Sequence, residues 1–182
     1  MRAAADHKEP HVPGSSNIAD ALASVVSHLT EHPEDGLSTD PEARAFVQGD
    51  LRVVVQGPDG VSLVTDMPAA VGGEGSAPTP GWLLRAALAS CDATLIAMSA
   101  ARQGLRLDRI EVSVTSRSDD RGLVGAAEGV PAGPLEITTR IRLEAPGADP
   151  EVLARALDWA REHSPVDDAL RRAVPVEVVV ET

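Results

Sequence analysis

The sequence predicts an α+β layer fold, and three observations carry that expectation. Strand-like segments alternate at every second residue and come in adjacent pairs, the pattern of antiparallel hairpins. Helical segments stand between the pairs rather than after every strand, which argues against a doubly wound parallel sheet. One helical segment, residues 81–103, is apolar round almost its whole circumference and so belongs in an interior.

Residues 1–15 mix charge, histidine, Pro10, Pro13 and Gly14, and read as a disordered leader. Ser16 is a candidate cap for a helix over about 17–31, where Ile18, Leu22, Val25, Val26 and Leu29 form one apolar stripe that Pro33 and Gly36 terminate. Residues 33–43 read as a linker. Residues 1–43 are therefore expected to be a flexible leader with an accessory helix, and 44–182 the main domain. The stripe needs a docking surface on that domain or on a second subunit.

The body opens with two expected strands, 45–56 and 61–66, joined through Pro58-Asp59-Gly60. A Gly- and Pro-rich loop leads to the long helix, with Thr79 as cap, Pro80 at its first position and Gly104 as its stop. Strands are expected over 109–116 and 135–144, with a loop over 117–134 between them. Asp149 caps a helix over 150–162, Ser164-Pro165 breaks it, a short helix covers 166–173 and a strand over 174–181 closes the chain. The expected body order is β-β-α-β-β-α-α-β.

Charge and composition exclude several function classes. Sixteen Lys+Arg stand against 28 Asp+Glu, a net charge of -12 that repels phosphate backbones and anionic lipid. Neither nucleic acid nor a membrane is an expected partner. Phe46, Trp82 and Trp159 are the only aromatics, so the core is aliphatic and stacking platforms are scarce. No apolar run reaches a membrane span without charges, and the N-terminus lacks a basic-then-apolar signal pattern, so a cytoplasmic protein is expected. Cys91 is the only cysteine, which excludes an internal disulfide and a Cys-cluster metal site. No cofactor is expected.

A helix apolar all round needs cover on every side, and one domain's sheet covers one face. A second subunit's helix is the natural cover, so a homodimer with this helix at its centre is expected. Cys91 lies mid-helix beside Ala87, Leu88, Thr94 and Leu95, none of which stabilises a thiolate. Asp92 points about 100° away around the helix, and its charge would act against ionisation of the thiol. Cys91 reads first as a packed small hydrophobe; as a reactive thiol it needs an electropositive partner from afar, and Arg117, Arg121 and His163 are the candidates.

Pro78-Thr79-Pro80, Leu83-Leu84, Ala86-Ala87, Cys91, the helix end up to Leu107 and the strand from Ile110 together resemble the central segment of the OsmC/Ohr family, the osmotically inducible and organic hydroperoxide resistance proteins. Asp66-Met67-Pro68 and Gly72-Gly73 sit where that family carries the loop before its helix. His163-Ser164-Pro165-Val166, Leu170 and Val174-Pro175-Val176 look like its second motif, normally Cys-Pro. The resemblance covers about residues 45–182. It implies an intertwined homodimer, each half a curved antiparallel sheet wrapped over long central helices. It also implies peroxide reduction by two cysteines: a thiolate attacks the peroxide, and the resulting sulfenic acid condenses with a second thiol. Cys91 matches the peroxidatic position.

The departures are specific. Ser164 stands at the resolving position, and a hydroxyl cannot form a disulfide. Gly81 stands where the hydroperoxide-resistance branch has a glutamate, and that branch's Gly-Gly-Arg loop is missing. Three functional readings follow: a one-cysteine thiol peroxidase resolved by an external thiol reductant in oxidative stress; a catalytically inactive OsmC-like dimer binding a small apolar ligand or protein partner at the subunit interface; and an assembly role centred on the N-terminal arm.

Other constellations read as structural. His28 and His32 are four apart, a spacing that can share a metal, but Pro33 ends the helix there and they read as polar-face residues. Glu74 reads as a turn carboxylate, and its glycine neighbours lack the Gly-Lys-Ser/Thr of a phosphate loop. Ser164 has no paired base in the sequence to make it a nucleophile. Arg171-Arg172 read as a solvated face.

Overall fold

Turn chemistry at Gly49 and at Asp59 decides how the first strands fold. In the computed structural model, which describes residues 15–181, the expected single strand over 45–56 is two. The chain reverses at Gly49-Asp50-Leu51, with Asp50 in the left-handed region at φ 42°. It thereby separates β1 (Arg44–Gly49) from β2 (Arg52–Gln56). A second reversal through Pro58-Asp59-Gly60 leads to β3 (Ser62–Thr65). The three strands form an antiparallel meander in the order β1-β2-β3, with Phe46 opposite Val54 and Val54 opposite Val64.

The chain divides into two compact units. One holds residues 27–89 and 114–138, including the meander, the loop 66–79 and the start of the long helix α2 (Pro80–Arg102). That loop is organised on Asp66, which is 1% exposed. Its carboxylate accepts bonds from the Met67 N–H at 2.7 Å and from the Ser76 N–H and hydroxyl, both at 2.8 Å. Gly73 lies so close to the loop backbone that a Cβ there would stand 1.9 Å from the Met67 carbonyl oxygen. Thr79 caps α2 as expected, its Oγ1 accepting the Trp82 N–H at 3.2 Å.

The other unit holds the described residues up to 26, with 90–113 and 139–181. Its core is aliphatic: Ile96, Ala100, Leu105, Leu107, Ala156 and Ala160, flanked by Ile110, Val112, Ile141 and Leu143. Gly104, at φ 64°, closes α2 with two bonds typical of a glycine stop, Leu105 N–H to the Ala100 carbonyl and Gly104 N–H to that of Ala101. The Asp108–Glu144 and Leu135–Arg117 backbone bonds show β4 (Arg109–Arg117) and β5 (Glu136–Glu144) to be an antiparallel pair. Asp149 caps α4 (Pro150–Glu162), and Ser164 caps α5 (Pro165–Arg171). A short helix, α3 (Asp120–Leu123), interrupts the expected loop between β4 and β5; Asp119 caps it.

The α+β class and the antiparallel pairing agree with expectation; both sheets are small and open. One further expectation needs correction. Residues 174–181 form no strand: Val176, Val178, Val179 and Val180 are 74–84% exposed, and no strand among the described residues pairs with them. The long helix is not enclosed on all sides within one chain, in keeping with the expectation that one domain's sheet covers one face only. Leu88, Ile96, Ser99, Ala100 and Ala101 are buried, whereas Trp82, Ala87, Ser90 and Thr94 are exposed. By length and composition α2 is also the one described helix that could cross a membrane.

The accessory helix α1 (Ser15–Glu31) is present with most of its stripe uncovered, Val25, Val26 and Leu29 all exposed. The leader before it lies outside the described residues, as does the side chain of Ser16.

Candidate functional site

The candidate site is built where α4 hands over to α5. Arg102 near the end of α2 packs its guanidinium over the Trp159 ring, 4.6 Å from the centroid, and the His163 ring stacks on the same indole at 4.2 Å. His163 also closes α4, its N–H donating to the Trp159 carbonyl at 3.1 Å. Ser164 is then extended (φ -76°, ψ 109°) and Pro165 opens the next helix, so the serine is pinned at a corner with its backbone committed on both sides. It is fully buried.

From that corner Ser164 Oγ lies 3.3 Å from Cys91 Sγ and 2.9 Å from Asp92 Oδ1. The Asp167 N–H reaches the same oxygen at 3.4 Å. Cys91 is half-buried and free. Burial holds the Asp92 carboxyl above the ordinary carboxylate value of 3.8 and the Asp167 charge pushes the same way, while the Ser164 hydrogen bond and Arg161 act against them. The structure thus joins the two positions singled out in the sequence, Cys91 and Ser164, and adds Asp92, which sequence reasoning placed on a different bearing. Nothing along the helix could signal the link, because the connecting hydroxyl comes from 73 residues away.

The three expected electropositive partners are engaged elsewhere. Arg117 pairs with Glu136 at 3.5 Å and Arg121 with Asp119 at 2.6 Å, while the His163 ring nitrogen Nδ1 is bonded to the Trp159 carbonyl. Among the described residues, none of these three is bonded to the sulfur. His28 is bonded to Asp35 at 2.8 Å and His32 pairs with Glu34 at 3.8 Å. No group of three metal-ligating side chains occurs among the described residues. Glu74 lies in the loop gathered round Asp66. Arg171 and Arg172 pair with Asp167 and Asp168 one turn earlier.

An α+β scaffold holding one thiol on its long helix against a hydroxyl from the following helix pair defines a class of thiol-bearing protein. The OsmC-like protein family model matches residues 73–179, and the chain belongs to that family. No curated protein matches it. The fold is similar to that of an OsmC-like protein from Mycoplasma pneumoniae (14% identity, TM-score 0.62, covering 75% of this chain and 91% of that one). It is also similar to an organic hydroperoxide resistance protein OsmC from Legionella pneumophila (21%, 0.54, 74% and 91%). A third similar fold is an organic hydroperoxide resistance protein from Elizabethkingia anophelis (14%, 0.55, 75% and 91%).

Proposed function

We propose that this protein is a one-cysteine OsmC-like thiol peroxidase acting in the oxidative stress response, with residues 44–182 as its OsmC-like domain. Cys91 attacks the terminal oxygen of an organic hydroperoxide. The S–O bond forms as the O–O bond breaks, leaving a sulfenic acid and an alcohol. An external thiol condenses with the sulfenic acid, releasing water, and a second thiol reduces that mixed disulfide. Ser164 holds the place at which a second cysteine would resolve the reaction internally. The observation that carries the reading is the contact itself, a buried Ser164 hydroxyl 3.3 Å from the only thiol of the chain.

The assembly is a homodimer. The exposed Ala87, Ser90 and Thr94 of α2 offer a small-residue surface on which a second copy of the helix can pack closely, and the uncovered valines of 174–181 ask for a partner strand. A free thiol suits a reducing cytoplasm.

A second reading, a catalytically inactive dimer that binds an apolar ligand or a protein at its interface, draws on one observation. The nearest charge connected to the sulfur is a carboxylate rather than a cation. Peroxide consumption separates the two. Purified protein with dithiothreitol or lipoamide should consume tert-butyl hydroperoxide, and Cys91→Ser should abolish it. Equal rates for parent and variant overturn the peroxidase.

A further inference from the structure

Ser164 Oγ carries one proton and has three neighbours in reach: the Asp92 carboxylate at 2.9 Å, the Cys91 sulfur at 3.3 Å and the Asp167 N–H at 3.4 Å. The N–H can only donate, so it takes one of the oxygen's lone pairs. The hydroxyl proton goes to the carboxylate, the shorter and charge-assisted contact. The second lone pair then faces the sulfur, which fills it with its own S–H. The proton order is S–H to Oγ, then O–H to Oδ1. Reversing both bonds gives a neutral carboxyl that donates to Oγ and a hydroxyl that donates to a thiolate. The two arrangements carry the same single negative charge and differ by the shift of two protons.

We propose that Asp92, Ser164 and Cys91 form a proton relay in which the thiol hands its proton through the Ser164 hydroxyl to the Asp92 carboxylate, generating the thiolate without a neighbouring cation. The geometry is specific to such traffic. Ser164 is fully buried, so water does not compete for its hydroxyl, and among the described residues no backbone donor ties down the Asp92 oxygen that faces Ser164. The other charges facing Asp92 are Asp167 from α5 and Arg161 from α4. Asp167 and burial both favour the neutral carboxyl, the state in which the relay has delivered its proton. In the peroxide reaction the sulfur loses two electrons to the breaking O–O bond, and the thiol proton held on Asp92 is returned to the departing alkoxide, which leaves as alcohol and restores the carboxylate.

The relay rests on Cys91 being the reacting thiol, and its test does not require a peroxide. The rate at which iodoacetamide alkylates native protein is measured from pH 4.5 to 9.5 for the parent, Asp92→Asn and Ser164→Ala, with circular dichroism confirming that each is folded. Asparagine keeps the shape and the acceptor oxygen but cannot receive the proton. The relay therefore predicts crossing profiles. At pH 5 the parent reacts roughly tenfold faster than Asp92→Asn, the equivalent of about one pKa unit of proton affinity. Above pH 8.5, where the carboxylate only repels the thiolate, Asp92→Asn reacts faster. Ser164→Ala loses the low-pH reactivity while retaining the repulsion, and is the slowest throughout. A carboxylate that acts by charge alone leaves Asp92→Asn at least as fast as the parent at every pH, and that result overturns the relay. Crossing profiles in a protein that consumes no hydroperoxide would sustain the relay and remove the peroxidase.

Discussion

Asp66 and Asp92 both lose contact with water, and their surroundings move their pKa values in opposite directions. Asp66 is met by the Ser76 N–H and hydroxyl and by the Met67 N–H, and these bonds, led by Ser76, hold its carboxyl below the ordinary value. Asp92 is met by one hydroxyl that it shares with a thiol, and burial holds its carboxyl above that value. Two backbone N–H groups and a hydroxyl converging on one carboxyl favour its charged form, so Asp66 organises a loop. A rotatable hydroxyl accepts as readily as it donates, so Asp92 is free to exchange a proton. The number and kind of donors, more than depth of burial, separate a structural carboxylate from a chemical one.

The largest test of that contrast removes the room in which the Asp66 loop closes. A Cβ at Gly73 would stand 1.9 Å from the Met67 carbonyl oxygen and 2.6 Å from its carbon, and both are backbone atoms that cannot swing aside. Gly73→Ala must open the loop and with it the bonds to Asp66, a loss of about 3 kcal/mol. Urea unfolding checks it, and an unchanged midpoint would mean that the loop is not locked on the carboxylate. The Cys91 alkylation profile of the surviving folded protein should keep its shape, since the relay uses none of these atoms.

How far the sequence revealed these two sites depends on how local their causes are. The glycine stop at Gly104, the Thr79 and Asp149 caps and the Ser164-Pro165 break act within a few residues, and all were legible. The reversal at Gly49-Asp50-Leu51 was not, because Val47, Leu51, Val53 and Val55 keep a two-residue period that carries a strand pattern across it. The alternation in 174–181 is real, yet a strand exists only against an edge, and no pattern along the chain says where that edge is. Cys91 and Ser164 could be paired only through family resemblance, whereas Asp92 joins them through an orientation that the fold alone sets.

A smaller effect is expected from Asp66→Asn, read through acid. Because the folded-state pKa of Asp66 lies below that of the unfolded chain, its charge adds stability that is fully present above about pH 3.8 and is lost as pH falls through the folded value. The asparagine variant should therefore be less stable than the parent at pH 7, by several degrees in Tm, its amide N–H2 or oxygen failing to serve all three donors. The gap should close in strong acid. A gap that persists undiminished at pH 2.5 would assign the loop to packing rather than to the carboxylate charge.

The smallest expected effect carries the opposite sign, and for that reason it tests the contrast most directly. The folded-state pKa of Asp92 lies above that of the unfolded chain, so folding favours the protonated carboxyl. Its ionisation counts against the fold: the penalty is absent below pH 3.8, grows as pH rises toward the folded value and is complete beyond it. Asp92→Asn keeps an acceptor oxygen for the Ser164 hydroxyl and removes the ionisation, so at pH 7 it should melt slightly above the parent. At pH 3.5 the two should coincide. The stabilised variant would then be the one that has lost low-pH thiol reactivity, the trade expected when a site holds a carboxylate for its chemistry at the expense of the fold. An Asp92→Asn protein that melts below its parent at pH 7 would place Asp92 with Asp66, as a carboxylate kept for structure.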